Sequence, residues 1–557
     1  MCGIAGAFFR EPESSKQYSE VEISKTLAVM KSRGPDDSGY FTDKNAVMLH
    51  TRLSIIDPGD GKQPMRDKKG NVLVFNGEIY NYPELKLALA GKYDFQTQCD
   101  TEIILALYNI FGLDFIEHLR GMYAFALYDP EKKEMIVARD SYGIKPLYIY
   151  EDDRKVVFGS EIKAIQRLTS QCPELAFDHV RQVMKYNYIR DMNTPWSNIK
   201  RIKPGKALVF KSCTQVDDYD MTPLPCTVQM NLSESEALEI FDKNIRESVD
   251  KHCLSDVGYG LFLSGGLDST TLAVCLNKQD SRHLNCYTAS FDVTRVADES
   301  DIAKKTAKDM GFTHSHIQFT QEDFWTYLPK IAAYMDDPVA DYAILPTWKL
   351  AEYASAEQKV VLSGEGGDEM LAGYGRYRSY WWKGLRRKFQ LSFGREHRNK
   401  NSQCARWCKH WSRLQRHQAR DFENWLPNDL LIKLDNCLMA HSLEGRTPFL
   451  DRDLAKALFT FPDHLKIRGK YGKYIQRKWL EKNYPNYPAF MKKQGFTVPV
   501  ASWIEHERDR ALREILSSRF MQQMMSASEK EALSNRSGIQ LWPYLYLAFW
   551  SKNRTGI

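Results

Sequence analysis

The chain has 557 residues, of which 43% are hydrophobic and 27% are charged, and its formal net charge is +6. This is the composition of a globular protein with room for roughly two to four domains, and so mild a charge does not call for a nucleic-acid or membrane partner. The eleven cysteines are odd in number and scattered, which argues against a disulfide framework and favours a reducing compartment. Neither a signal peptide nor an apolar run of membrane-spanning length is present, so a cytoplasmic protein is expected.

The first 150 residues combine short apolar runs with two helical stretches. Strands are predicted in AVMLHTRLSII, NVLVFNGEIY, MYAFALYD and EMIVARD, because these runs are rich in β-branched and aromatic residues. Helices are predicted over Val21–Lys31 and from Asp100 onward, with Asp100 as the cap. This pattern predicts an α+β domain with antiparallel sheet.

Between Pro204 and Pro225 the periodicity fades, and an exposed connection is predicted. A helix is predicted to begin after Ser233, with Glu236 three residues later completing a capping box. From there strands and helices alternate, which is typical of a parallel sheet with right-handed crossovers. Roughly the last 170 residues are predicted to be mainly helical.

Two glycine turns in this second half each follow a predicted strand. They are LSGGLDS, from Leu263 to Ser269, and LSGEGGDE, from Leu362 to Glu369. Glycines allow backbone N–H groups to face an anion, and a following helix adds its partial positive charge. Because the carboxyl ends of parallel strands lie at one edge of a sheet, we expect Asp268 and Asp368 to share a metal–pyrophosphate site, with Mg²⁺ as the metal.

The first of these turns, SGGLDS, resembles the pyrophosphate loop of the ATP pyrophosphatase superfamily, whose members adenylate a carboxylate or carbonyl group. Together with GEGGDE it more closely resembles the asparagine synthetase branch. Three later segments match the same branch: HSLEGRTPFLD (441–451), GKYGKYIQRK (469–478) and KKQGFTVPVASW (492–503).

The amino-terminal motifs resemble those of class II glutamine amidotransferase domains. They are CGIAG, RGPDDSG, HTRLSIID, FNGEIYN, CDTE and RDSYGIKPLY. In this order, and over nearly the whole chain, the motifs resemble the glutamine-hydrolysing asparagine synthetase family. The resemblance implies an amidotransferase domain at 1–212, with an αββα sandwich of antiparallel sheets of the N-terminal nucleophile type. A linker at 213–231 and an α/β synthetase domain at 232–557, with a parallel sheet and helical additions, follow.

The same resemblance implies a role for Cys2, which stands directly behind the initiator methionine. In the family the methionine is removed and the cysteine thiol attacks the side-chain amide of glutamine. An α-amine with a pKa of about 7.7–8.0 is neutral enough to serve as the base, so nucleophile and base belong to one residue.

Further residues of the amidotransferase domain are implied in glutamine binding. Arg52 is expected to pair with the α-carboxylate of glutamine, because its N–H donors form a fork. Glu78 and Asp100 are expected to hold the α-ammonium group. Asn76 and the backbone N–H of Gly77 are expected to form the oxyanion hole.

For the synthetase domain the resemblance implies ATP as a substrate and an acyl-adenylate formed from a small carboxylate, aspartate or another. Glu365 is the expected acid–base or substrate-orienting carboxylate, and Lys473 is expected to stabilise charge on the phosphates. Mg²⁺ is expected at Asp268 and Asp368. The residues implied near ATP and pyrophosphate are Leu263, Ser264, Gly265, Gly266, Leu267, Asp268, Ser269, Ala289, Ser363 and Gly364.

Several alternatives stay open. The same machinery could amidate a different carboxylate, such as a sugar uronate or a biosynthetic acid, and an RNA-binding or regulatory protein on this scaffold is a second alternative. The segment 376–420 has fourteen Lys or Arg residues against one acid, Glu396, so it could bind nucleic acid, form surface helices or attract anionic small molecules. Surface helices are favoured, and no nucleic-acid or membrane partner is expected; a homodimer stays open. Cys404, Cys408 and His410 do not predict zinc, because a second cysteine pair is missing.

Overall fold

The computed structural model describes residues 2–11, 18–169, 174–221, 224–229, 231–277, 284–292, 300–382, 408–491, 497–552 and 554. Up to residue 220 the described strands form two six-stranded antiparallel sheets, with the orders β10-β8-β9-β1-β3-β2 and β12-β11-β7-β6-β5-β4. Their bounds are β1 Gly3–Phe9, β2 Asp37–Thr42, β3 Ala46–Arg52, β4 Met65–Arg66, β5 Val72–Ile79, β6 Gly121–Asp129, β7 Glu134–Arg139, β8 Tyr148–Glu151, β9 Lys155–Gly159, β10 Ile199–Arg201, β11 Lys206–Lys211 and β12 Thr214–Asp220.

The two sheets pack face to face. Phe8 of β1 and Val74 of β5 belong to one fully buried apolar cluster between them. Helices Glu20–Val29 and Ile162–Leu168 cover the outer face of the first sheet, and helix Thr101–Phe111 covers the outer face of the second. The predicted αββα sandwich is therefore confirmed. Two further helices, Tyr82–Ala88 and Phe177–Tyr186, and a 3₁₀ turn, Gly112–His118, complete this half.

The second half is built on a five-stranded parallel sheet with the order β15-β14-β13-β16-β17. Apolar clusters cover both faces of this sheet, because Leu261 of β13 packs into one cluster and Val361 of β16 packs into the other. The predicted α/β domain with helical additions is confirmed. The strands are β13 Tyr259–Phe262, β14 Asn285–Phe291, β15 Thr313–Phe319, β16 Val360–Leu362 and β17 Glu444–Arg446, and a separate hairpin has β18 Ile467–Arg468 and β19 Tyr471–Gly472.

Helices surround this sheet, and the described part of the carboxyl-terminal region is mainly helical, as predicted. One of its segments, Asp421–Leu430, is a π-helix. The α-helices are Glu234–His252, Leu267–Asn277, Ser300–Met310, Gln321–Tyr334, Ile344–Ala354, Gly367–Met370, Gly375–Trp382, Arg413–Arg420, Leu431–Met439, Arg452–Thr460, Asp463–Lys466, Tyr474–Asn483, Val500–His506, Arg508–Ser517, Arg519–Met524, Ala527–Ala532 and Gly538–Ser551; 3₁₀ turns are Pro448–Leu450 and Leu533–Asn535.

Local predictions at helix ends have mixed outcomes. The capping box of Ser233 and Glu236 is present, as predicted. Asp100 does precede its helix, but its side chain does not cap it. Instead, Asp100 Oδ2 accepts the N–H of Ile79 at 2.8 Å. The carboxylate is thus turned away from the helix end and toward β5.

The range 213–231, predicted as a linker, contains a strand. β12 pairs with β11 in antiparallel register, so the second sheet continues to Asp220. Six of the seven β12 residues are exposed, because β12 is the outermost strand of its sheet. Its sequence, TQVDDYD, consequently lacks the alternation of apolar residues by which a strand is recognised.

A disulfide joins Cys226 to Cys408. The expectation from the sequence was that the scattered cysteines form no disulfide framework, and it did not include this bond. The two residues are 182 positions apart, and sequence spacing gives no sign of such a long-range pair. Cys404 lies outside the described residues, and Cys408 in a disulfide cannot act as a thiolate ligand for zinc.

Buried ion pairs join the two halves of the chain. The guanidinium of Arg201 makes bonds of 2.7 and 2.6 Å to the carboxylate of Asp337, and that of Arg120 makes two bonds of 2.8 Å to Asp451. The Tyr80 ring packs on His252 with the ring centres 4.0 Å apart. Among the described residues, no helix has both the length and the apolar character that crossing a membrane requires.

Candidate functional site

Cys2 lies immediately before β1 in a buried position. Its backbone N–H donates to Asn76 Oδ1 at 3.0 Å, and its carbonyl oxygen accepts Arg33 Nε–H at 3.1 Å. Burial raises the pKa of the Cys2 thiol, against the lowering effects of the chain's amino terminus and of the backbone N–H of Leu53. The thiol therefore lies in a dry pocket with a hydrogen-bond donor directed at it.

Two neighbouring residues of β5, Asn76 and Gly77, are the predicted oxyanion-hole residues, and Asn76 contacts Cys2. Asn76 is fully buried, and its Nδ2 group has no hydrogen-bond partner among the described residues. Such an orphaned donor is expected where a ligand oxygen would complete it. At Gly77 a Cβ atom would overlap the carbonyl oxygen of Met122 on β6, so close packing of the two strands requires glycine there.

Arg52 ends β3 and is 4% exposed. Its guanidinium donates to the carbonyl oxygens of Ile56 at 3.3 Å, Asp57 at 2.6 Å and Pro58 at 3.2 Å. The predicted carboxylate-binding arginine thus also fixes the loop that follows it. This clamp involves only backbone acceptors, and no sequence motif indicates it.

Glu78 and Asp100 lie together in the same buried region. Burial, followed by the nearby carboxylate of Glu444, raises the pKa of Glu78 well above its usual range. Burial raises the pKa of Asp100 to about 6. Arg446 supplies a counter-charge to Glu78, with its Nη2 3.4 Å from Glu78 Oε2.

Arg446 comes from the other half of the chain, and sequence reasoning missed it. It is fully buried in β17, with its Nε 2.6 Å from Glu444 Oε1 and its Nη1 donating to the carbonyl oxygens of His252 and Leu254. Its own carbonyl oxygen accepts the N–H of Ser363 at 2.8 Å. The quoted segment HSLEGRTPFLD contained this arginine, but nothing in the segment indicates that it faces Glu78.

The first glycine turn, Leu263–Ser269, follows β13 and leads into helix Leu267–Asn277. Ser269 Oγ accepts the N–H of Ser264 at 3.2 Å, and Gly266 N–H donates to Ser264 Oγ at 3.3 Å. Gly265 has a φ of +80°, and its carbonyl accepts the Tyr487 hydroxyl at 3.1 Å. The turn is consequently fixed by its own serines and lies at the carboxyl end of a central strand.

The second glycine turn lies beside the first, because β16 pairs with β13. Lys473 joins them: its Nζ forms ion pairs with Asp268 and, at 2.7 Å, with Asp368. Although burial opposes it, the two carboxylates raise the pKa of Lys473. Gln476, which sequence reasoning missed, donates to Asp268 Oδ1 at 3.0 Å.

A cavity of about 810 Å³ opens over these two turns. Of the predicted nucleotide residues, Gly265 does not line it. Lys433, which the sequence did not single out, lies 2.9 Å from Asp341 and 3.9 Å from Glu365. The predicted residues that line the cavity are Leu263, Ser264, Gly266, Leu267, Asp268, Ser269, Ala289, Ser363, Gly364, Glu365, Asp368 and Lys473.

The donor set at this cavity is compatible with Mg²⁺. Within the described ranges, no group of three or more His, Cys, Asp or Glu side chains could hold a metal ion. Mg²⁺, however, is commonly held by one or two carboxylates together with substrate phosphates and water. Asp268 and Asp368 meet at a single lysine and supply those two carboxylates.

The basic segment 376–420 is described only in part. Arg376 and Arg378 line the cavity, which agrees with the interpretation that the segment attracts anionic small molecules. Residues 383–407, with most of its positive charges, lie outside the described residues.

The structure thus has two candidate sites, one at the buried Cys2 in the first half of the chain and one at the two adjacent glycine turns in the second half. Residues 1–219 match the family model described as glutamine amidotransferase domain, and residues 241–551 match that described as asparagine synthase. The chain belongs to the asparagine synthase family.

Curated relatives span the same two domains. Asparagine synthetase (glutamine-hydrolyzing) 1 of Bacillus subtilis is 31% identical over 93% of this chain and 90% of its own length. Asparagine synthetase B (glutamine-hydrolyzing) of Escherichia coli is 29% identical over 92% of this chain and 85% of its own. Amidase chry2 of Gibberella zeae is 34% identical over 68% of this chain and 60% of its own.

Gly373 supplies a test of how tightly the lysine junction is packed. A Cβ atom at this position would overlap Asp368 Oδ1 and Lys473 Cε, so Gly373→Ala is expected to lower the free energy of unfolding by about 1–3 kcal/mol. At Gly375 the nearest atom, Arg378 Nη2, would be 3.5 Å from the Cβ, and Gly375→Ala is the matched control, with a change within about 0.5 kcal/mol. Denaturant unfolding measures both, and equal stability of the two variants would contradict the packing.

Proposed function

We propose that this protein is a glutamine-dependent, ATP-dependent asparagine synthetase. The observation that carries the proposal is the pairing of two sites in one chain: Cys2 beside Asn76 in one domain, and Asp268, Asp368 and Lys473 at adjacent strand ends in the other. The curated relatives named asparagine synthetase support it. Aspartate is the proposed acceptor.

In the amidotransferase domain, removal of the initiator methionine would free the α-amine of Cys2. The amine takes the proton of the thiol, and the thiolate attacks the side-chain carbonyl carbon of glutamine. The backbone N of Cys2 lies 3.0 Å from Asn76 Oδ1, so Asn76 orients the amine with its oxygen. Its Nδ2 group, orphaned among the described residues, and the N–H of Gly77 stabilise the oxyanion. Ammonia leaves, and water then hydrolyses the thioester to glutamate.

Glutamine is held at its α-groups by charged residues. The ammonium group meets the buried carboxylates of Glu78 and Asp100, and Arg52, which clamps residues 56–58, provides the fork for the α-carboxylate. Because both acids are buried, the ion pairs formed with a ligand ammonium are screened little by water.

In the synthetase domain, a carboxylate oxygen of the acceptor attacks the α-phosphorus of ATP, and pyrophosphate leaves. Backbone groups of the 264–269 turn and the Lys473 ammonium hold the phosphates. Mg²⁺ would be held by Asp268 and Asp368 and would neutralise charge on the departing pyrophosphate. Ammonia then attacks the acyl carbon, and AMP leaves.

The test of the acceptor is direct. The protein is incubated with ATP, Mg²⁺, glutamine and aspartate, and asparagine, AMP and pyrophosphate are measured. Glutamine hydrolysis without asparagine would reject aspartate, and the uronate and other carboxylate alternatives would then be tested by pyrophosphate release. Absence of pyrophosphate with every acceptor would favour the RNA-binding or regulatory alternative.

Cys2→Ala is expected to abolish product formation from glutamine and to leave synthesis from ammonium chloride at the wild-type rate, because the two reactions take place in different domains. Cys213→Ala is a suitable control, since this buried cysteine contacts β1 at the carbonyl of Phe8 but lies in neither site. Loss of both activities in folded Cys2→Ala would reject the assignment of the two reactions to different domains. Retention of methionine in the mature chain, seen by mass spectrometry, would reject the α-amine as base.

Acidification should weaken glutamine binding. Burial raises the pKa of Asp100 to about 6, so this carboxyl loses its charge as the pH falls below that value. The KM for glutamine is expected to rise about tenfold between about pH 7 and about pH 5, in proportion to the lost carboxylate. Asp100→Asn should show a raised KM that depends on pH less steeply in this range than the wild-type KM, because Glu78 still titrates beside it. A KM of the wild-type protein that does not change would contradict the role of Asp100.

A further inference from the structure

One carboxylate of the synthetase cavity is not used by the reaction described above. Asp429 lines the cavity and is 5% exposed. Its Oδ2 accepts the indole N–H of Trp425 at 2.5 Å, whereas its Oδ1 has no hydrogen-bond partner among the described residues. A buried carboxylate oxygen without a donor is costly, so a ligand group that donates to Oδ1 would be stabilised at this position.

The orientation of Asp429 is fixed by its surroundings. Trp425 and Asp429 lie one turn apart in the π-helix Asp421–Leu430, and π-helical segments are frequent at functional sites. The guanidinium of Arg376 lies 3.8 Å from the centre of the Trp425 ring. Arg376 holds Trp425, and Trp425 holds one oxygen of Asp429, so the other oxygen is set in one direction.

Two further acids lie near Asp429. Asp341 and Glu365 line the same cavity, and Lys433 forms ion pairs with both of them. Asp341 is already engaged, since its Oδ2 accepts Lys433 Nζ at 2.9 Å and its Oδ1 accepts the N–H of Ala343 at 2.9 Å. Burial, followed by the carboxylate of Asp341, raises the pKa of Asp429 well above its usual range. One more positive group would complete this end of the cavity.

We propose that Asp429 binds the α-ammonium group of the acceptor, and that this contact restricts the synthetase site to amino acids. An ammonium group offers three N–H donors to an oxygen that lacks one. A divalent metal does not fit here, because Lys433 already lies among these acids and no metal-binding group of three or more side chains occurs in the described part of the chain. The inference rests on the proposed adenylation of a carboxylate in this cavity.

The contact would decide between the acceptor classes left open by the sequence. A uronate or another acid without an amino group would leave Asp429 buried and uncompensated, so it would bind less well than an amino acid of similar size. Arg376 and Arg378 line the same cavity and attract any carboxylate alike. Asp429, rather than the two arginines, therefore distinguishes acceptors that have an amino group from those that lack one.

The experiment compares Asp429→Asn with the wild-type chain, using ammonium chloride as the nitrogen source and pyrophosphate release as the readout. The acceptors are matched pairs with and without an α-ammonium group: aspartate with succinate, and glutamate with glutarate. Asp242→Asn is the control variant, because Asp242 also accepts a tryptophan indole N–H, that of Trp479 at 2.7 Å, but does not line the cavity.

The wild-type chain is expected to use the ammonium-bearing member of a pair. In Asp429→Asn the KM for that acceptor should rise about 10- to 100-fold, the range for loss of a charged hydrogen bond. The KM for ATP should stay at the wild-type value in this variant. In Asp242→Asn the KM for the acceptor should also stay at the wild-type value. An unchanged KM in Asp429→Asn, equal use of both members, or use of neither would overturn the inference.

These outcomes separate the inference from the proposed function. Asparagine formation by the wild-type chain together with an unchanged KM in Asp429→Asn would leave the synthetase assignment in place and remove the role of Asp429. The opposite result is that the wild-type chain forms no asparagine but uses glutamate in preference to glutarate, and that Asp429→Asn loses this preference. It would remove aspartate as the acceptor and keep the role of Asp429. If Asp429→Asn binds both ATP and the acceptor more weakly, the substitution has disturbed the fold. Asp429→Glu restores the charge, and it should then recover acceptor binding only if the carboxylate binds the acceptor.

Discussion

The arrangement of both sites depends on the buried guanidinium of Arg446. Glu78, Asp100 and Glu444 bring three carboxylates into a water-poor region near Cys2, and each would cost several kcal/mol to bury without a counter-charge. Arg446 lies 2.6 Å from Glu444 and 3.4 Å from Glu78. Although burial opposes it, the amino terminus and then Arg446 lower the pKa of Glu444 to about 2. Glu78 keeps a raised pKa, so it is the acid that still lacks a full partner.

The same arginine connects the two candidate sites. Its side chain reaches Glu78 in the pocket proposed for glutamine, and its carbonyl oxygen accepts the N–H of Ser363 in the second glycine turn. β17 is the edge strand of the parallel sheet, paired with β16, which carries that turn. A displacement of β17 would therefore change the contact with Glu78 and the contact with Ser363 at the same time. Neither domain alone would assemble the pocket, because Glu78 and Asp100 come from one domain and Arg446 comes from the other.

Local sequence patterns predicted the sheets, the capping box at Ser233 and the two adjacent glycine turns, because these features follow from hydrophobic period and parallel-strand geometry. They could not predict contacts between residues distant in sequence. Arg446 and Glu78 are 368 positions apart by their numbers, and the disulfide spans 182. The exposed edge strand β12 had no apolar alternation to reveal it. The family resemblance points to Arg52, but the bonds of Arg52 to three backbone carbonyls depend on the loop conformation.

In the function proposed above, both ends of the reaction select an amino acid by the same physical means. At the pocket proposed for glutamine, Glu78 and Asp100 are buried with raised pKa values, and Arg446 lies 3.4 Å from Glu78. At the synthetase cavity, Asp429 is buried with one oxygen unpaired among the described residues. The desolvation cost of these acids is incurred when the chain folds, so a ligand that brings an ammonium group recovers it and a ligand without one does not. Selectivity for amino acids then comes from the incomplete charge balance of the folded protein, because Arg52, Arg376 and Arg378 attract carboxylates with and without an amino group alike.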